Sequence, residues 1–470
     1  MSQISPDISN RAHFIRQQVP AAGFFAGLEW RIGPGPFILS PDLAQEIEAL
    51  GRVLLQFYRA VNLLYRQSVA GKQPGWVASW LDLGKPRALI ELQRSTVFST
   101  ELPRVIRPDL LLTESGLVLV ELDSVPGGIG LTAWLNQTYA RLPETADAQP
   151  AIAGRSDTLP EEPATRLEST PKPWRILGGA DGMQNGFAAI FGDAPKIHIV
   201  ISAEAATYRP EMEWLARQLD GSRFSVQDTQ FTGFNPGEAV YRFFELFDLD
   251  QVANASAIFA WAKEKRLILT PPPKPIFEEK MLFALLWNRN LQSFWRQELG
   301  QGFFERLKRI VPYSWLVDPT PLPPHAAIPE LNLTDWQQLK SMSQRERQLI
   351  LKISGFSEKA WGARGVFLGS DLSQADWAAA VDGALTEFHR SPHVLQRFHK
   401  PKQVAAHWFD FAGDQLAPMA GRVRLCPYYF VAGHAEAARA NLGGVLATIC
   451  PADKKIIHGM SEAILAPCAV

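Results

Sequence analysis

Four charged residues, Arg107, Asp109, Glu121 and Asp123, are of types and spacings that could gather around a cation. They belong to RPDLLLTESGLVLVELDSVPGGIG, residues 107–130. Two apolar runs, Val105 to Thr113 and Leu117 to Leu122, flank Glu114, Ser115 and Gly116. The three central residues read as the connection of a β-hairpin, with Gly where a positive φ is needed. A turn centred on Ser115 pairs residues whose numbers sum to 230, so Asp109 faces Glu121 and Arg107 faces Asp123. Side chains two apart on a strand share a face. Three carboxylates and one guanidinium therefore converge at the open end of the hairpin. Acids so placed repel one another unless a cation sits between them, and hard divalent ions suit carboxylate oxygens. The rival reading is a surface hairpin with solvated ends. The apolar residues before Glu121 do not alternate, which favours a strand covered on both faces.

A second stretch, LILKISGFSEKAWGARGVFLG at 349–369, reads as a strand carrying Lys352, a loop with Gly355, Ser357, Gly362 and Gly365, and a return through Val366 to Leu368. Such a flap can lay backbone N–H groups over phosphate oxygens, with Lys352, Lys359 or Arg364 adding point charge. It is not a GxxxxGK[ST] loop, and a strand rather than a helix follows. An ordinary Gly-rich turn is the rival reading. Lys280 opens an apolar helix, where a lysine is usually solvated. Gln396, Arg397 and Phe398 end a strand before a Pro-marked turn whose backbone could meet an adenine edge. Arg424 interrupts the apolar run VRLCPYYFV, where an unpaired guanidinium would be costly, so it requires an anionic partner; Arg422 shares its face by period two.

The elements that must position these residues follow from periodicity. Ser40 as N-cap, Pro41 and apolar residues from Leu43 to Leu64 predict a helix to Ser68. With the segments Pro74 to Pro86 and Arg87 to Gln93 it forms a helical region over residues 1–100, ahead of the hairpin segment, 101–142. Residues 143–173 are rich in Pro, Glu, Ala, Thr and Ser and read as a mobile linker or surface loop. An α/β unit over 174–274 has strands at Lys196 to Ser202, Phe224 to Val226, VYRFF and RLILT and a helix over Pro210 to Leu219; GGADG at 178–182 is read as a loop. The remainder, 275–470, holds Trp- and Phe-rich helices over 276–309 and a Pro-laden loop from Pro312 to Pro329. Beyond these come the strand Gln348 to Ser354, a helix from Ser373 to Phe388, and strands at His393 to Phe398, Val404 to Phe411 and Leu416 to Val431. The fold class is α+β.

With 470 residues the chain can bury sizeable cores. Its 47 basic and 48 acidic residues create no field suited to nucleic acid. No apolar run approaches the roughly 20 residues of a membrane span. Three cysteines without metal-ligand spacing imply a reduced, cytoplasmic setting. The histidines are scattered, and no Ser/His or Cys/His constellation is evident.

The order of these motifs resembles the circularly permuted ATP-grasp ligases, most closely the glutathionylspermidine synthase-like branch, over most of residues 100–431. RPD at 107–109 and ELD at 121–123 stand where that branch has Arg-x-Asp and Glu-x-Asn strands. VYRFFELF, the Lys280 helix, KISGFSEKAWGARG and LQRF follow in the family's order. The resemblance implies an ATP-grasp core with a preATP-grasp-like unit, and an ATP- and Mg²⁺-dependent ligase joining a small-molecule carboxylate to an amine. It implies Asp109, Glu121 and Asp123 as Mg²⁺ ligands, with Arg107 and Arg424 steadying the transferred phosphoryl group. The same resemblance gives Lys280 and Lys352 to ATP phosphate or adenine-side groups, the loop with Gly355, Ser357, Gly362 and Gly365 to the phosphates, and Gln396, Arg397 and Phe398 to adenine. Asp123 departs from the family's Asn, adding charge without removing a hard ligand. A degenerate nucleotide-binding scaffold and a phosphotransferase are the alternatives; neither a nucleic acid nor a membrane partner is expected, and the oligomeric state is open.

Overall fold

The computed structural model describes residues 6–20, 30–142, 174–360, 364–433, 435–454, 457 and 462–470. The linker expected over 143–173 and the flap residue Gly362 lie outside the described residues. Helices and sheets mix in an α+β arrangement built on three sheets. No helix among the described residues is long and apolar enough to cross a membrane.

The largest sheet has eight strands, and its centre is Gln415–Ala432, antiparallel to Val105–Thr113 on one side and to Arg439–Pro451 on the other. The hairpin Val105–Thr113/Gly116–Asp123 is its edge. The long helix Pro41–Val69 lies on one face: Ser40 Oγ accepts from Leu43 N, and the Tyr429 hydroxyl donates to Ile47 O at 2.5 Å. Its buried stripe from Ile47 to Leu64 joins the sheet in one apolar core.

The second sheet is the antiparallel set Val366–Leu368, Leu349–Ile353, His393–Arg397 and Ser314–Leu316. The third is parallel, in the order Phe224–Gln227, Ile197–Ile201, Ala239–Phe243 and Ile268–Thr270, with the helix Arg209–Leu219 in the first crossover. Its strand Ala239–Phe243 is buried throughout, as a parallel strand covered on both faces should be.

Three sequence expectations are corrected. The hairpin connection is two residues, Glu114 and Ser115, because Gly116 (φ 113°) already pairs with Thr113. A strand, Ser314–Leu316, sits inside the expected Pro-laden loop, held by antiparallel pairing to His393–Arg397. Two strands, Arg439–Pro451 and Ile464–Ala469, follow the last expected one and complete the large sheet.

Candidate functional site

The open end of the hairpin pairs as the charges require: Arg107 opposite Asp123 and Asp109 opposite Glu121. The shorter turn shifts the register by one, and an extra residue at Val120, between the Leu110↔Leu119 and Asp109↔Glu121 pairs, restores it. The Val120 carbonyl accepts from Lys352 Nζ at 3.2 Å, so the bulge both re-aims the acids and ties the hairpin to the second sheet.

All three sheets border one cavity of about 270 Å³. It is lined by Arg107, Asp109, Glu121 and Asp123 from the hairpin, Arg424 from the central strand, Lys280, and Lys352, Gln396, Arg397 and Phe398 from the second sheet. Gly355 lines an adjoining recess with Glu121 and Asp123. It packs so closely that a Cβ there would lie 2.4 Å from the Glu278 carbonyl. Ser357, whose Oγ accepts from Lys359 N at 3.3 Å, and Gly365, wedged between Lys359 O and Ile353, are not among the cavity-lining residues.

Asp109 is 3% exposed and lies between two guanidiniums, with Arg107 Nε at 2.9 Å from Oδ1 and Arg424 Nη1 at 3.1 Å from Oδ2. Burial opposes its ionisation, but Arg107 and Arg424 hold its carboxyl below the ordinary value. The anion that Arg424 requires is therefore Asp109; Arg422 instead donates to the Lys454 carbonyl at 3.1 Å. Arg107 also reaches Asp123 Oδ2 at 3.0 Å and donates to Gly127 O at 3.2 Å. The Asp123 carboxyl is raised by burial and by the neighbouring Glu121 and Asp109, against the pull of Arg107. Glu121 meets Lys280 Nζ at 2.9 Å with its side chain still 40% exposed. Burial opposes its charge too, and Lys280 prevails, holding it below the ordinary carboxylate value.

Lys280 is not solvated; its ammonium bridges Glu121 and the Ala360 carbonyl at 3.1 Å, beside the flap. Lys352 is 8% exposed and donates to Gln396 Oε1 at 3.1 Å, while Gln396 Nε2 donates to Ser314 Oγ at 3.0 Å. Burial pulls the Lys352 ammonium down to about 8. Two lysines thus face the same void with different proton affinities, because of the two only Lys280 touches a carboxylate among the described residues. Arg397 pairs with Glu330 at 3.3 Å, and the Phe398 amide donates to Gln348 O at 3.0 Å.

No protein-family model matches the chain, and no curated protein does either. Among solved structures, it matches a glutathione synthetase-like effector from Globodera pallida, in its apo form. The TM-score is 0.54 at 11% identity, covering 100% of this chain and 98% of that one. The chain has a glutathione synthetase-like fold. A putative gamma-glutamylcysteine synthetase from Methylobacillus flagellatus aligns at TM-score 0.38 and 12% identity, over 83% of this chain and 87% of that one. The fold assignment rests on the first of these.

The sequence points to the α/β unit and its segment VYRFFELF, which holds Phe243, Phe244 and Glu245, but singles out none of the third wall's residues as a site residue. Ser202, Glu204, Tyr208, Phe243, Phe244, Glu245 and Asp248 come from the parallel sheet and its loops. Glu245 is raised well above the ordinary carboxylate range by burial, by Glu278 and by Asp123. Glu278 is itself engaged, by Arg242 Nη2 at 2.6 Å and by Leu246 N at 3.0 Å. Asp248 is 5% exposed, and its Oδ2 has no hydrogen-bond partner among the described residues. The α/β unit over 196–270, with VYRFFELF inside it, is where the sequence directs a search for the substrates, and its acids approach the hairpin through tertiary packing alone.

Among the described residues no group of three or more His, Cys, Asp and Glu side chains is arranged to hold a metal ion. The reason is visible in the pairing: both oxygens of Asp109 face arginines, and Asp123 divides its oxygens between Arg107 and the Val125 amide at 2.8 Å. Glu121 keeps the most accessible carboxylate of the three. Mg²⁺ is commonly held by one or two carboxylates together with substrate phosphates and water, so Glu121 with Asp123 fits that ion better than a closed cage would.

Proposed function

We propose that this chain is an ATP- and Mg²⁺-dependent carboxylate–amine ligase of the circularly permuted ATP-grasp type, forming an amide through an acyl phosphate. The observation that carries the reading is the convergence, on one cavity, of the hairpin carboxylates and Arg107 with Arg424 of the same sheet, Lys352 of the second sheet and Lys280 at the start of a short helix. Phosphoryl transfer requires positioning and charge neutralisation more than covalent help. A bound Mg²⁺ would neutralise phosphate charge beside Glu121 and Asp123.

Lys280 and Lys352 would hold phosphate oxygens of ATP, with the Gly355 turn closing the recess beside them. Arg107 and Arg424, both held by Asp109, would present fixed guanidiniums to the phosphoryl group as it passes to the substrate carboxylate. Pairing to Asp109 keeps those guanidiniums aligned before any ligand arrives, so little reorganisation is needed. Gln396, Arg397 and Phe398 would border the base. The amine would approach from the Glu204, Glu245 and Asp248 wall and displace phosphate from the acyl phosphate.

The test is release of ADP and phosphate from ATP in the presence of pooled small carboxylates and amines, read together with a product mass equal to the two components less water. ADP release that requires both components supports the ligase. A stable phosphorylated product without amide supports a phosphotransferase. One observation favours a second reading, a nucleotide-binding scaffold: each hairpin acid already meets a cation of the chain. Tight ATP binding without ADP release for any pair of substrates would favour it.

A further inference from the structure

A second groove, of about 480 Å³, runs between the helix Pro41–Val69, the helix Gln292–Ile310 and the strand Arg439–Pro451. It lies on the other face of the large sheet from the nucleotide cavity. In the central strand Arg424 and Cys426 turn toward Asp109, whereas Tyr429 turns toward the long helix at Ile47. Among the described residues the groove carries three guanidiniums, Arg52, Arg59 and Arg439, and a single acid, Glu48. Glu48 is already paired with Arg175 at 3.1 Å.

Neutral groups hold the three arginines. Arg59 Nη2 donates to the carbonyls of Ala435 at 2.8 Å and Ala438 at 3.4 Å, and Arg439 Nη1 to those of Glu436 at 2.7 Å and Ala438 at 3.1 Å. Arg52 lies 5.7 Å from the centroid of the Phe303 ring. None of the three forms an ion pair with a carboxylate among the described residues. The contrast is with Arg107, Arg242 and Arg424, each of which meets an acid. A guanidinium has five N–H donors in a planar fork suited to carboxylate and phosphate oxygens. Arg52 and Arg59, two turns apart, project from one face of the helix, with Arg439 alongside on the strand. Arg59 and Arg439, already fixed by carbonyls, lose little freedom on binding, and the groove's three guanidiniums outnumber its one lining carboxylate among the described residues.

We propose that this groove is a binding site for a small multivalent oxyanion, a polycarboxylate or a phosphate compound, separate from the nucleotide cavity. Its volume lies within the range of about 300–1,000 Å³ usual for small-molecule sites. The inference does not depend on the ligase reading.

Citrate and inorganic pyrophosphate, each titrated by calorimetry into the full chain at constant ionic strength, provide the test. The variants are Arg52→Ala and Arg439→Ala, with Arg87→Ala, which pairs with Glu91 on a different helix, as control. At least one of the anions binds the wild type, and each groove variant weakens that binding about tenfold. Arg87→Ala leaves it unchanged, and all three variants keep the wild-type melting temperature in anion-free buffer. Loss confined to citrate or to pyrophosphate identifies the ligand's acid group. Failure of both anions to bind beyond matched chloride, or unaltered binding in the two groove variants, overturns the proposal.

Discussion

Glu279 and Lys280 are adjacent, both charged and both ion-paired, yet only one of the two pairs meets the cavity. Glu279 meets Lys85 at 2.6 Å with side-chain exposures of 1% and 0%, and its other oxygen takes the Ser354 hydroxyl, which in turn accepts from Met281 N at 2.9 Å. Lys280 meets Glu121 at 2.9 Å with exposures of 13% and 40%. The preceding residue, Glu278, pairs with Arg242 of the parallel sheet. Three consecutive charges therefore tie the helical region, the hairpin and the parallel sheet to one short turn. The closed pair has no capacity left for a ligand, and its role is to fix the turn. The open pair keeps a carboxylate facing a void and can exchange its partner. Charge burial alone does not mark a site; a buried pair is weak evidence even for stability. Incomplete satisfaction beside a cavity is the distinguishing feature.

The largest expected effect breaks the closed pair. Glu279→Ala leaves the Lys85 ammonium buried without a counter-charge and should destabilise the fold by about 3–5 kcal/mol. Denaturant unfolding measures this, and a loss below about 1 kcal/mol, as for an exposed pair, would erase the contrast. Next comes the open pair. Lys280→Ala should lower ligand-dependent ADP release by about 100-fold or more while shifting stability far less than Glu279→Ala. The smallest effect concerns pH. The Lys352 ammonium deprotonates near 8 rather than at its ordinary 10.5, so ATP affinity should weaken as pH rises through about 8. The unfolded chain binds the extra proton between about 8 and 10.5, so this group makes folding more favourable as pH rises through that window. In Lys352→Met the step in ATP affinity near pH 8 should vanish; a step that persists assigns the titration to another group.

Much of this arrangement was legible in the sequence where local chemistry dictates it. Ser40 and Pro41 announce the long helix, and the unbroken apolar run before Glu121 announces a covered strand. The charge pairing at the hairpin's end was also legible, though by compensation: the expected turn is one residue too long and the Val120 bulge went unseen, and the two errors cancel. Arg424 needed an anion, and Asp109 supplies it, because a guanidinium within an apolar sheet has few alternatives. What sequence periodicity could not give was tertiary. Glu245 and Asp248 look like ordinary loop acids until the parallel sheet docks against the hairpin. The strands Arg439–Pro451 and Ile464–Ala469 contain Gly443, Gly444 and Pro467, which weaken their strand signal; the first is stabilised by its ladder on Gln415–Ala432 and the second by its ladder on the first. Gly355, read as a phosphate cover, is required by its close approach to the Glu278 carbonyl.

The most direct test of the central claim is calorimetric titration of ATP, with and without Mg²⁺, into the wild type and Glu121→Gln. Mg²⁺ is expected to strengthen ATP binding to the wild type by about tenfold or more, and Glu121→Gln to remove most of that gain while still binding ATP alone. Equal Mg²⁺ dependence in the two proteins, or no ATP binding to either, would contradict it.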